Sequence, residues 1–176
     1  VVEPLLSVLR RHGLDHPRSR VTVMSFEVDV LRRLAPLTRL PLLQLVDRLD
    51  RRPPDQAAAG LPTTYADLVS AEGLAVVDTY ADGLGVHKEL VLPREADQTS
   101  AGVSGLVRDA HRRWLTVHVY TVRAENRFLP AEARSSDDPD ERGYVGAEVR
   151  ALIRAGVDGL ICDQPEDALA ARDQVV

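Results

Sequence analysis

A single cysteine, Cys162, excludes an internal disulfide and any zinc site built on several thiolates. Its place in an apolar stretch makes it a buried small hydrophobe by expectation. No apolar run approaches the roughly 20 residues that a membrane-spanning helix needs, so no transmembrane segment is expected. Charge of one sign does not accumulate either. The chain has 22 Lys and Arg against 27 Asp and Glu, a formal charge of -5, and arginines such as Arg32, Arg33, Arg112 and Arg113 alternate along the chain with acids. No basic face for a nucleic-acid backbone is expected from that pattern. His12, His16 and His111 form no pair with metal-ligand spacing. The acidic run Asp137 to Gly143 puts Asp138, Asp140 and Gly143 at calcium-loop spacing, but Arg142 takes a ligand slot and Val149 the terminal glutamate slot, so it reads as a solvated loop. The chain starts at Val1 without a methionine or a visible signal peptide.

What is present is an alternation of strand and helix patterns. With 44% apolar and 28% charged residues the 176-residue chain suits one globular unit with a sizeable core. Val2, Leu5, Leu6 and Leu9 trace one face of a first helix. Arg20 to Phe26 reads as a β-branched strand, Val28 to Leu34 as a helix ended by Pro36, and Arg39 to Leu45 as a second strand. Arg51 to Pro62 is a long loop. Thr63 and Thr64 offer a cap for the next helix, with Asp67 in its first turn and Gly73 at its end. Ala75 to Tyr80 and Asp82 to Lys88 form a third strand and its loop. A helix within Ser100 to Arg113, a strand from Leu115 to Val122, a helix from Ala147 to Ala155, a strand from Gly159 to Asp163 and a helix from Pro165 to Asp173 complete the order. Such alternation predicts an α/β fold with a parallel sheet, whose site lies at the carboxyl ends of the strands.

Several side chains at those ends carry chemistry. Alternation along the fourth strand puts His118, Tyr120 and Val122 on one side; Tyr120 there is a core ring or a pocket wall, and His118 a hydrogen-bonding brace or a site group. Phe26, closing the first strand, is either core or a ring beside the site. Gln44 interrupts an apolar strand, and a buried amide without partners costs about 1–3 kcal/mol, so it must find them in the protein or a ligand. Asp163 and Glu166 have the spacing of a helix-capping pair.

Two segments together carry a family wording. Thr116-Val117-His118-Val119-Tyr120-Thr121-Val122-Arg123 and Gly156-Val157-Asp158-Gly159-Leu160-Ile161-Cys162-Asp163-Gln164-Pro165 closely resemble the closing strands of the glycerophosphodiester phosphodiesterases. Ser25-Phe26 and Gly83-Leu84-Gly85 followed by Lys88 extend the likeness. Ala81 to Gly85 and Tyr120 to Arg123 look most like the secreted or periplasmic branch. The resemblance implies a fold: five βα units from the carboxyl-terminal part of a TIM (β/α)8 barrel of the phospholipase-C-like phosphodiesterase type, for which about 250 residues are typical. It also implies a reaction, hydrolysis of a small-molecule glycerophosphodiester to glycerol 3-phosphate and an alcohol, with a divalent cation, calcium, as cofactor. Phe26, Gln44, Lys88, His118 and Tyr120 are the expected substrate-binding positions; the resemblance implies Lys88 for the diester anion and Phe26 and Tyr120 for the pocket wall. The family's His-Arg-Gly and His-Asp groups do not occur among these residues. The expectation is therefore that residues 1–176 are a partial catalytic domain, with metal ligands and catalytic acid/base upstream of residue 1 and an inactive fragment as the result. A non-catalytic barrel that binds a phospho-ligand or carbohydrate is the rival.

Overall fold

The structure, a computed structural model, describes residues 1–175. Its strands follow one another in the order β1-β2-β3-β4-β5 of one sheet: Val23–Ser25, Leu42–Val46, Gly83–His87, Thr116–Val122 and Gly159–Cys162. Between them run α1 (Val2–Arg11), α2 (Val28–Leu34), α3 (Pro54–Ala58), α4 (Tyr65–Leu68), α5 (Ala71–Val77), α6 (Leu106–His111), α7 (Val145–Arg154) and α8 (Pro165–Arg172). The described chain divides into two compact units, residues 1–85 with 110–116, and residues 86–109 with 117–175. No helix among the described residues is long and apolar enough to cross a membrane.

In the first unit, α1 buries Val2, Leu6 and Leu9, and α2 buries Val28, Leu31 and Leu34, the one-sided spacing that packs a helix on a sheet. The amino end of α2 is capped from a distance: the backbone N–H of Asp29 donates to Asp55 Oδ2 at 2.8 Å. Asp55 sits in α3, which begins at Pro54 inside the stretch expected to be loop; proline suits a first helical turn because its missing N–H has no intrahelical partner there. β1 and β2 pair in parallel, with Val23 opposite Leu42 and Ser25 opposite Gln44.

Two further expectations change here. Thr64 and Asp67 do form a reciprocal capping box for α4, but that helix stops at Leu68 and Gly73 lies within α5, where its N–H donates to the capping hydroxyl of Ser70 at 3.0 Å. A Cβ on Gly73 would come within 2.7 Å of the Leu68 carbonyl carbon, so only glycine allows the two helices to meet. Ala75 to Val77 is therefore helical rather than strand: Leu74 and Val77, three apart, are buried together, and the Ser70 cap outweighs the β-branched preference.

In the second unit, β4 and β5 pair in parallel, His118 opposite Gly159 and Val119 opposite Leu160, and the register then shifts to Val122 opposite Cys162. The shift breaks the alternation: Val117 and Val119 are buried, His118 and Tyr120 half-buried on the other face, yet Val122 is buried again. α7 buries Val145, Val149 and Leu152 and lies beside α8, which buries Ala168 and Ala171. Asp163 does not cap α8. Its carboxylate accepts from Arg123 Nε at 2.7 Å, joining the ends of β4 and β5. Cys162 is half-buried, its thiol pushed up by burial and by the neighbouring acids Asp163, Glu166 and Asp167.

Candidate functional site

At the carboxyl ends of β3 and β4 in the second unit, His87 and Tyr120 stand edge to face, ring centroids 6.1 Å apart at 86°. That geometry sets the positive edge of one ring against the negative face of the other and fixes both orientations. One turn of the pleat back, the imidazole of His118 lies over Gly159. A Cβ there would come within 2.6 Å of Cε1 and 2.8 Å of Cγ, so the glycine is what seats the ring. Burial holds the His118 pKa below its ordinary value, against the opposing pull of Asp158.

The sign of that shift has a measurable consequence. A lowered folded-state pKa means that the unfolded chain binds the proton more tightly, so stability is unaffected above about 6.5 and falls as pH drops from there towards the lower folded value. His118→Gln is expected to flatten this part of the curve: between pH 7.5 and 5 its melting temperature, followed by circular dichroism, falls less than that of the parent chain. Equal slopes would show that His118 titrates alike in both states.

Immediately after His87, Lys88 turns into the interior. Its Nζ donates to Glu148 Oε2 at 2.6 Å and to the Phe128 carbonyl at 2.5 Å. Arg94 reaches the same two acceptors, at 3.2 Å to Glu148 Oε1 and 2.6 Å to Phe128 O, with Glu89 at 3.3 Å on its other nitrogen. The side chains of Lys88 and Glu148 are only 5% and 4% exposed. Burial lowers the Lys88 pKa, and the charge of Glu148 works against that shift. This ammonium therefore has a carboxylate of its own within the protein, and its visible action is to tie the end of β3 to α7 and to the 126–129 segment.

Phe26 and Gln44 belong to the first unit. Gln44 is fully buried, and its amide is satisfied by protein: Nε2 donates to the carbonyls of Ser25, Phe26 and Leu45 at 3.3, 3.2 and 3.0 Å, and Oε1 accepts from the Tyr80 hydroxyl at 3.1 Å. Tyr80 lies under the Arg32 guanidinium, 5.3 Å from the ring centroid, and burial pushes its phenol up to about 12. The amide thus laces β1 to β2. Phe26 packs edge-on against Tyr65, centroids 6.4 Å apart, and is partly exposed.

The acidic run is folded by Asn126, which is buried: its Nδ2 donates to the carbonyls of Asp138 at 2.8 Å and Ser136 at 3.1 Å, and its Oδ1 accepts from Ser135 N at 3.0 Å. Asp140 pairs with Arg127, and Glu141 accepts from the Ser136 hydroxyl. Among the described residues no group of three or more His, Cys, Asp and Glu is placed to hold a metal ion. The donor set needed for a divalent cation is not met by these side chains.

Sequence reasoning passed over His87, Arg94 and Glu148. Only Glu148 leaves a local trace, as a charge on the apolar face of α7 between Val145 and Leu152. His87 lacked any partner at ligand spacing, and Arg94 sits in a loop whose neighbours are far away in sequence.

Residues 2–167 match the sequence profile of the glycerophosphoryl diester phosphodiesterase family. The glycerophosphodiester phosphodiesterase GDPD6 of Arabidopsis thaliana is 31% identical over 149 residues, covering 85% of this chain and 37% of that protein. Among solved structures, one from Silicibacter pomeroyi superposes with a TM-score of 0.60 at 22% identity over 98% of this chain and 43% of its own. A glycerophosphodiester phosphodiesterase from Parabacteroides distasonis superposes with 0.57 at 15% identity over 99% and 51%. At those identities the likeness is one of fold: five parallel βα units forming part of a (β/α)8 barrel, as expected from the sequence. The chain spans about half or less of the length of each of these relatives.

Proposed function

Since the chain belongs to the glycerophosphoryl diester phosphodiesterase family, we propose that it supplies part of the substrate pocket of an enzyme that hydrolyses glycerophosphodiesters to glycerol 3-phosphate and an alcohol. The observation that carries this reading is the His87–Tyr120 pair at the strand ends, 6.1 Å apart and oriented edge to face. Tyr120 packs its ring against the glycerol moiety and His87 holds that ring in place. A pre-set ring loses little freedom when substrate arrives, which favours reaction geometry. Lys88 is a positioning residue: with its charge engaged by Glu148, it holds the 126–129 segment beside the pocket. Phe26 and Gln44 shape the strand ends of the first unit. Calcium is the proposed cofactor, held by carboxylates outside these 176 residues, together with the acid/base pair. The wording of Ala81 to Gly85 and Tyr120 to Arg123 supports a secreted or periplasmic location.

Release of glycerol 3-phosphate from glycerophosphocholine, with calcium added, tests this. The 176-residue chain alone is expected to give no product above background, and the natural full-length product that contains it to turn over. Turnover by the chain alone would place the acid/base groups within it. No turnover by the full-length protein on a panel of diesters, with retained binding, would favour the non-catalytic phospho-ligand or carbohydrate barrel.

A further inference from the structure

The amino ends of the first unit's strands gather a basic and apolar surface from segments far apart in sequence. Residues 10–20 carry Arg10, Arg11, Arg18 and Arg20 against Asp15; the loop before β2 carries Arg39, and the turn before β4 carries Arg112 and Arg113; the turn before β3 supplies Asp78 and Asp82. Seven arginines thus face three aspartates in a chain whose formal charge is -5. The segments adjoin. Asp15 accepts from Arg10 Nε at 2.7 Å and from the Thr38 hydroxyl at 2.5 Å, Arg10 also donates to Leu37 O at 2.8 Å, and Thr116 N donates to Asp82 O at 3.1 Å. Arg39 and Asp82 line one cleft at this end.

Apolar side chains stand out from the same end: Leu14 and Leu37 are exposed, and Trp114 is 91% exposed. Trp114 also has φ +61°, in the left-handed region. Its N–H donates to His111 O and the next N–H to Ala110 O, the pattern of a helix terminus where glycine is the usual residue. A large ring is thus held in a costly backbone conformation and packs against almost nothing in this chain. Arg10 and Arg11 have an ordinary explanation, since cations favour the carboxyl end of α1. Arg18, Arg20, Arg39 and Trp114 are not covered by it.

We propose that this end of the first unit is a docking face for an anionic lipid surface, the arginines meeting lipid phosphates while Trp114, Leu14 and Leu37 enter the interfacial layer. An indole is the side chain best suited to a layer that is apolar on one side and wet on the other, and clustered basic residues draw a protein to anionic lipid. Leucines give nothing to a nucleic acid, which favours lipid over polynucleotide. Tyr120 and His87 belong to the second unit and none of the docking residues is among them, so docking and the proposed reaction use different groups.

Trp114 is the sole tryptophan, so its own fluorescence reads the test. Vesicles of equal parts phosphatidylcholine and phosphatidylglycerol are expected to shift its emission to the blue and to co-sediment the chain, with binding lost at high salt; pure phosphatidylcholine vesicles should do neither. The triple variant Arg18→Glu, Arg20→Glu, Arg39→Glu is expected to bind at least about tenfold more weakly. Trp114→Gly, which suits the left-handed backbone and keeps the fold, should co-sediment several-fold less. Absence of shift and co-sedimentation overturns the proposal. So does equal binding to neutral vesicles, equal binding to duplex DNA, or a blue shift that grows with protein concentration alone and marks self-association. No arm reads diester turnover, so failure here leaves the phosphodiesterase reading untouched.

Discussion

Glu148→Ala is expected to cost about 3–5 kcal/mol of stability, the scale seen when one partner of a buried ion pair is removed. The reason is the loss of the acceptor shared by two cations: Lys88 at 2.6 Å and Arg94 at 3.2 Å are left with the Phe128 carbonyl in an enclosed setting, and only Arg94 keeps a second carboxylate, Glu89. Chemical denaturation monitored by circular dichroism measures it. The double variant Lys88→Met, Glu148→Leu should recover part of the loss, because it removes the buried charges of Lys88 and Glu148 together and leaves only Arg94, which keeps Glu89. A single-variant loss below about 1 kcal/mol, the range of exposed pairs, would show that water reaches this network and that it does not brace the strand ends.

Tyr120→Ala in the full-length protein is expected to lower kcat/KM for glycerophosphocholine by roughly 10 to 200-fold, the effect of losing a pocket contact of about 1–3 kcal/mol. Tyr120 is half-buried and meets His87 edge-on, so part of its ring area serves packing and part faces outward. Melting temperature separates the two. A large loss of activity with little change in melting temperature assigns the ring to the substrate; parallel losses of both assign it to the core.

These two residues differ in how much of their role was visible in advance. Tyr120 and His118 were legible because a strand's period of two puts them on one face, opposite the buried Val117 and Val119. The same rule failed at Val122, where the register with β5 shifts, since a bulge depends on the neighbouring strand and not on local pattern. Gln44 was legible as a buried amide in need of partners. That they are the carbonyls beside it and the Tyr80 hydroxyl, 36 positions away, was not.

By itself the sequence determined most of the order of strands and helices, the buried face of α1, and the family to which the chain belongs, because periodicity, capping residues and short motifs are encoded within about a dozen neighbouring positions. Tertiary structure alone decided the partner of Lys88, 60 positions away, the contact of His87 with Tyr120, and the gathering of arginines that alternate with acids along the chain into one basic end. Coulomb attraction and burial act through space, and which loops lie side by side is set by packing of the whole unit, which no local pattern contains.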